Sequence, residues 1–252
     1  MQRLRIKLLL FLSKILLATL VAAGSAVSSE DPVLRYVADN TGQGWIPYMI
    51  PGNPENPGIV VEISRLVLEK AEIAGQEVGR PKRRGLNPYE SRHVDFEWAS
   101  PAWFPGLKFP AKDVSTVEVF LTRDVLIYSV DHVGIWQNVR EIYGRRVGTV
   151  AGYIYKDEAR FQRHDVASEE NLVRMIALNR LDVAIIAENS ARYWARKHKL
   201  TIRYGAIHSE GALRMRLHQE HAYLLPRLNA AIRALQQDGS IKRILEKYLG
   251  AA

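Results

Sequence analysis

Apolar and polar positions alternate along the chain in short blocks that predict strands and helices in turn. Residues 33–38 and 181–187 are apolar runs of strand length, bounded by polar residues. Ile59, Ile63 and Val67 recur at helical spacing. The pattern predicts strands over 33–38, 94–98, 117–120, 125–128, 147–150, 181–187 and 200–204, and helices over 58–69, 156–163, 168–178, 191–198 and 224–249, the last broken at Asp238-Gly239. This order predicts an α/β fold with mostly parallel sheets.

One of these connections suggests a binding function. The strand at 147–150 ends in Ala151-Gly152, and the charged segment at 156–163 follows. Glycine allows close approach of the backbone, and the free N–H groups of a helix N-terminus favour an anion. The alternative is an ordinary strand-to-helix connection with no ligand.

The N-terminus has the features of an export signal. Arg3, Arg5 and Lys7 precede a short apolar stretch that Lys14 interrupts, and small residues follow up to Ala26. The stretch is well short of the ~20 residues that a membrane span needs. We expect a signal peptide at 1–27, cleaved near Ala26, and a periplasmic protein. An uncleaved anchor is the alternative.

Composition and charge exclude several classes of protein. The sequence has no cysteine, which excludes disulfides, thiolate metal sites and an N-terminal lipoprotein anchor. The leader carries four of the positive charges, so the formal charge of +8 becomes +4 without it. The densest basic run lies at 80–84, and no broad basic stripe with interleaved aromatic residues is present. We therefore expect no nucleic-acid partner.

Several segments, taken in order, resemble bacterial extracellular solute-binding proteins of family 3, the amino-acid-binding type of periplasmic protein. They lie at 45–48, 58–63, 94–96, 144–148, 179–184, 225–232 and 238–248. The last part contains Leu225-Pro226-Arg227-Leu228-Asn229 and then Asp238-Gly239. The resemblance covers essentially the whole chain after the leader.

The resemblance implies a type II periplasmic-binding-protein-like fold with two α/β lobes joined by crossing hinge strands. Lobe 1 would comprise 31–125 plus 205–252, and lobe 2 would comprise 129–204. A small polar, amino-acid-like or carboxylated solute would be captured in the cleft between the lobes for an ABC importer. The protein would be a monomer without cofactors. Alternatives are a ligand sensor subunit for a membrane receptor and a dehydratase-like enzyme on the same fold.

The resemblance also suggests ligand-binding residues, each with a purely structural alternative. Arg84 would clamp an anion, with the turn at Gly152 and Tyr153 as a second anion contact. The aromatic walls of the cleft would be Trp45, Tyr48 and Trp103. The partner of a cationic group on the solute would be Glu97 or Glu188. The alternatives are a solvated arginine, core aromatic residues and surface carboxylates.

Two departures from the family pattern make an α-amino-acid ligand doubtful. The arginine that usually follows a Thr-x-x pattern before the hinge is absent from residues 115–120. Ala187 occupies the usual position of the aspartate that holds an α-ammonium group, with Glu188 one residue later. A different polar or carboxylated solute is therefore plausible.

The sequence favours binding over catalysis. Its seven histidines form no tight triad, and no nucleophile elbow, phosphate loop or His-Glu-x-x-His helix is present. His218 and His221 flank Glu220 at metal-like spacing. A solvated helix start is the more ordinary interpretation of this trio, so we expect no metal site.

Overall fold

The structure is a computed structural model that describes residues 32–39, 45–79, 87–132 and 136–250. The expected leader at 1–27 and Arg84 lie outside these residues. The strands within them are β1 Leu34–Asp39, β2 Gly75–Gly79, β3 Phe96–Ala99, β4 Asp113–Ser115, β5 Phe120–Tyr128, β6 Arg146–Val150, β7 Gln162–Val166, β8 Val183–Ala187 and β9 Arg203–His218. The α-helices are α1 Ile59–Lys70, α2 Glu169–Ala177, α3 Glu188–His198, α4 Leu225–Gln237 and α5 Ser240–Leu249.

The elements with the clearest periodicity agree with the sequence prediction. Helix α1 buries Ile59, Ile63 and Val67, which are the residues that suggested it. Helix α2 begins after Ser168, whose side chain accepts a hydrogen bond from the backbone N–H of Asn171. The break between α4 and α5 lies at the predicted Asp238-Gly239.

The predicted helix over 156–163 is wrong. A short 3-10 turn at Glu158–Arg160 is followed by strand β7. Strand β7 is an edge strand that pairs only with β6, so most of its side chains stay polar and show no apolar alternation. Its charges pair locally instead, since Arg163 contacts both Glu158 and Asp165.

Two other predictions underestimated strand length. The strand expected over 200–204 overlaps only the first two residues of the sixteen-residue β9. Strand β5 begins at the last residue of the run expected over 117–120 and continues through the strand expected over 125–128, whereas residues 117–119 lie outside any strand. A Cβ at Gly205 would lie only 2.2 Å from the carbonyl oxygen of Trp136, so this glycine permits a close backbone approach within the strand.

The strands form two sheets in the described part of the chain. Strands β1 and β2 pair in parallel, and a seven-stranded sheet has the order β3-β9-β5-β8-β6-β7, with β4 also on β9. The pairs β6–β7 and β6–β8 are parallel, as expected for strands connected through helices. Every pair that includes β5 or β9 is antiparallel. The two long strands therefore add antiparallel pairing to otherwise parallel units.

Buried apolar side chains form separate clusters at either side of β5 and β9. One packs α1, α4 and α5 around residues such as Leu34, Phe96 and Leu213. Others pack α2, α3 and β8 around Leu172 and Ile185. Two cores connected by long strands are compatible with two lobes, and the proposed lobe boundaries stay a prediction.

Candidate ligand-binding cleft

A cleft with a cavity of about 190 Å³ lies where side chains from both apolar cores meet. One wall comes from β1, β3 and the segments around Trp45 and Trp103, and the other from the ends of β6 and β8 and the turn after β6. Ligands in open α/β sheets bind beyond strand ends in this way. The cavity has room for a small solute.

Five of the eight predicted site residues line this cleft: Trp45, Glu97, Trp103, Gly152 and Tyr153. Tyr48 and Glu188 are not among the lining residues. Arg84 lies outside the described residues, so its role as an anion clamp stays a prediction.

The aromatic wall is a packed unit. The rings of Trp45 and Trp103 meet edge to face with centroids 6.0 Å apart. Tyr48 stacks behind Trp45 at 4.4 Å and is itself fully buried. Its hydroxyl accepts a hydrogen bond from Asn189 at 3.1 Å and lies 3.3 Å from the Thr122 hydroxyl. Tyr48 therefore supports the wall from within the core.

The turn after β6 has the predicted glycine geometry but no helix behind it. Gly152 has φ of 82°, a left-handed conformation that disfavours other residues. The N–H of Tyr153 already donates to the carbonyl of Val150 at 3.1 Å. Arg163 holds the turn by donating to the carbonyls of both Val150 and Tyr153. The turn lines the cleft, but without the helix N-terminus that favoured an anion there.

Glu97 is held in the cleft by a buried arginine. Arg216 has no exposed surface, and its Nη1 donates to Glu97 Oε1 at 2.7 Å. The same guanidinium binds Asp113 at 2.5 Å and Glu90 at 2.9 Å. Burial raises the pKa of Glu97 to about 7, although the charge of Arg216 acts in the opposite direction.

Two cleft carboxyls were missed by the sequence analysis, Asp124 on β5 and Glu169 at the start of α2. Asp124 accepts a hydrogen bond from the Ser209 hydroxyl at 2.6 Å. Glu169 is 1% exposed, and within the described residues no group meets hydrogen-bond geometry with either of its carboxyl oxygens. Burial raises the pKa of both groups, and the charge of Asp124 raises that of Glu169 further. A charged residue beside the apolar run at 125–128 was the available signal for Asp124.

Glu188 faces other charges. Its carboxylate pairs with Arg192 at 2.6 Å and approaches Arg123 at 3.6 Å. Ala187, the residue before it, is the one that lines the cleft. A ligand contact from Glu188 stays a prediction.

The described residues show neither a metal-binding cluster nor a membrane span. No group of three or more His, Asp or Glu side chains in the described ranges is arranged to hold a metal ion. His218 instead stacks on the ring of Tyr89, with centroids 4.0 Å apart. Over the same ranges, no helix combines the length and the apolar character required to cross a bilayer.

Solved structures share this fold at low sequence identity. The GluR0 ligand-binding core, solved with L-glutamate, has a TM-score of 0.69 and 16% identity, covering 90% of this chain and all of that one. A histidine kinase sensor domain with similarity to periplasmic binding proteins has a TM-score of 0.67 and 16% identity over 88% and 97% of the two chains. A periplasmic His/Glu/Gln/Arg/opine family-binding protein from Silicibacter pomeroyi, solved with lysine, has a TM-score of 0.66 and 14% identity, covering 86% of this chain and 97% of that one.

These likenesses confirm the fold. The chain has the type II periplasmic-binding-protein-like fold, as its resemblance to family 3 implied. No protein-family model matches the sequence, and no curated protein matches it. These neighbours are ligand-binding or sensor domains. Because one fold can have many functions, the function of this chain has to be inferred from the residues of the cleft.

Proposed function

We propose that this is a periplasmic solute-binding protein that captures a small polar solute in its cleft and delivers it to an ABC importer. The observation that carries the proposal is the cleft itself. It lies between two apolar cores and is lined by tryptophans and carboxyls. One of these carboxyls is Asp124 on the long strand β5. Reversible binding needs no chemistry from these residues.

Lobe closure is the proposed mechanism. Strands β5 and β9 pair from Phe120 to Tyr128 and run between the two cores. Small φ/ψ changes in such connecting segments permit hinge motion in two-lobed proteins. Closure would bring the turn at Gly152 and the wall at Trp45 and Trp103 onto the solute.

The solved neighbours support binding rather than catalysis. Two of them were solved in complex with L-glutamate and with lysine, and another neighbour is the substrate-binding protein of an amino acid ABC transporter. By analogy this chain would bind its solute unchanged. The periplasmic location and the signal peptide at 1–27 remain part of the proposal, and cell fractionation with N-terminal sequencing of the mature protein tests both.

A sensor role is the second candidate because one neighbour is a histidine kinase sensor domain. Delivery and sensing need the same closed cleft. Crosslinking of the ligand-bound protein in intact cells, followed by mass spectrometry, distinguishes a permease partner from a receptor partner.

A thermal-shift screen against amino acids, amines, small carboxylates and oligopeptides tests the proposal. A ligand at 100-fold excess over its Kd adds about 2.7 kcal/mol to the folded state, a readily measured shift. The proposal predicts a stabilising solute that is recovered chemically unchanged. A consumed solute would indicate an enzyme, and a protein that no solute stabilises would contradict solute binding.

A further inference from the structure

Among the described lining residues of the cleft, the charged side chains have one sign. Glu97, Asp124 and Glu169 line it, and no Lys, Arg or His occurs among its described lining residues. Of these acids, Glu97 is already paired with Arg216 at 2.7 Å. Asp124 and Glu169 have no arginine or lysine partner within salt-bridge distance in the described part of the chain. Two of the three carboxyls in the described part of the cleft are therefore available to a cationic group of a ligand.

Glu169 is the most informative of the three. It is buried to 1% exposure, and in the described part of the chain neither of its oxygens has a partner in hydrogen-bond geometry, although the Ser190 hydroxyl is close enough to favour the ionised carboxylate. Its polar neighbour Ser190 donates its hydroxyl instead to the carbonyl of Ile46 at 2.6 Å. A buried carboxyl without a partner is costly, which makes it a candidate for a group that a ligand completes.

The groups around Asp124 do not neutralise this site. Ser209 donates to Asp124 at 2.6 Å, and Trp103 also stabilises its ionised form. His208 and Lys156 lower the pKa of Asp124 by their charge, yet burial outweighs all of these and raises it. His208 is itself bonded to Asp157 at 2.8 Å. The pKa of Glu169 is raised as well, because burial and the charge of Asp124 outweigh the opposite effect of the Ser190 hydroxyl.

The aromatic wall fits the same ligand chemistry. Trp45 and Trp103 line the cleft together with Tyr153. Indole and phenol rings attract cations over their faces, most strongly where the cation is desolvated. Carboxyls together with aromatic faces are the features that recognise organic cations.

We propose that the solute carries an organic ammonium or guanidinium group that binds at Asp124 and Glu169 beside the Trp45–Trp103 wall. This inference rests on the proposed function and names its substrate class. It reverses the anionic emphasis of the sequence analysis, which depended on Arg84 and on a helix after Gly152. The bound cation would give Glu169 the partner that it lacks.

Skeleton-matched probes test the charge preference. Agmatine is compared with arginine, and cadaverine with glutarate, by isothermal titration calorimetry on the purified protein. We expect at least one amine to bind at least tenfold more tightly than the dicarboxylate. Binding of glutarate or succinate in preference to every amine would overturn the inference and leave the binding function intact. A protein that binds no probe and no solute of the wider screen would contradict both.

Variants locate the cation. Glu169→Gln should weaken amine binding at least tenfold, and the adjacent Glu170→Gln, whose carboxylate contacts His198 at 2.7 Å, should change it less than twofold. Removal of a buried, unpartnered carboxyl should leave the unliganded Glu169→Gln protein at least as heat-stable as the parent, so lost binding would not reflect unfolding. Unchanged amine affinity in Glu169→Gln would refute the assignment.

Proton release provides an independent readout. Burial raises the pKa of Asp124 and of Glu169, and a bound cation should lower both pKa values again, so that binding releases protons. Titration in phosphate and in Tris at one pH should give different apparent enthalpies for an amine. Identical enthalpies for the amine in the two buffers would contradict ionisation of these carboxyls on binding.

Discussion

Replacement of Arg216 by methionine should destabilise the protein strongly and disturb one wall of the cleft. The guanidinium binds Asp113, Glu97 and Glu90 and stacks over the Tyr89 ring, with its central carbon 4.4 Å from the ring centroid. Methionine fills comparable space but provides no donor. Three carboxyls would then lose their cation, two of them at sites largely closed to water.

The magnitude follows from the burial of the cluster. The side chains of Arg216 and Asp113 are both 0% exposed. Removing one member of such a buried pair costs about 3–5 kcal/mol, because the other charge stays uncompensated. The matched control is Arg214→Met on the same strand, whose ion pair with the mostly exposed Glu118 should contribute about 0–1 kcal/mol.

The loss should also depend on pH. Burial raises the pKa of Glu97 to about 7 even beside Arg216, and without that cation the pKa should rise further. Stability linked to a raised carboxyl pKa is present below the unfolded value near 4.5 and is lost as pH rises through the folded pKa. The variant's deficit should therefore be larger at pH 8 than at pH 5.

Urea denaturation at the two pH values, followed by circular dichroism, measures these free energies of unfolding. A loss below about 1 kcal/mol for Arg216→Met, equal to that of Arg214→Met, would refute the view that the cluster is a buried, mutually dependent unit. A deficit that increased on acidification would refute the assigned direction of the Glu97 shift.

Three further predictions concern the cleft. Tyr48→Phe removes the hydroxyl contacts with Thr122 and Asn189 and should cost about 0.5–1.5 kcal/mol in thermal unfolding while retaining solute binding; a large loss of affinity without destabilisation would place Tyr48 in direct contact with ligand. Gly152→Val forces a β-branched residue to φ of 82° and should lower the melting temperature and solute affinity together; an unchanged protein would show that the turn relaxes freely. Glu169→Gln should increase the unfolding free energy at pH 8 by about 1–3 kcal/mol and have little effect near pH 4. The reason is that the raised pKa of Glu169 makes the parent protein lose stability as pH rises above 4.5. Equal effects of the substitution at both pH values in urea titrations would contradict the burial of Glu169 as an ionisable group.

Local pattern was sufficient for individual elements, and the resemblance to family 3 supplied the fold and the aromatic part of the predicted site. The spacing of Ile59, Ile63 and Val67 specified α1, and Trp45 and Trp103, which the resemblance suggested, line the cleft. Such features depend on residues close in sequence. The charged segment at 156–163 was wrongly predicted to be a helix, because an edge strand and a helix can have equally polar sequences.

The electrostatics of the cleft could not be predicted from local pattern. Glu97 and its partner Arg216 are separated by 119 positions, and only the pairing of β3 with β9 brings them together. Glu169 has the sequence of a solvated first helical turn, and its burial results from packing against other parts of the chain. Long-range packing therefore decides which carboxyls are available to a ligand.

Calorimetric titration of the purified protein with the solute that stabilises it most tests the central claim directly. The account predicts one solute bound per chain, loss of that binding in a Trp45→Ala, Trp103→Ala double variant that remains folded, and recovery of the solute unchanged. Full-affinity binding in that variant, or chemical conversion of the solute, would contradict a solute-binding protein that works through this cleft.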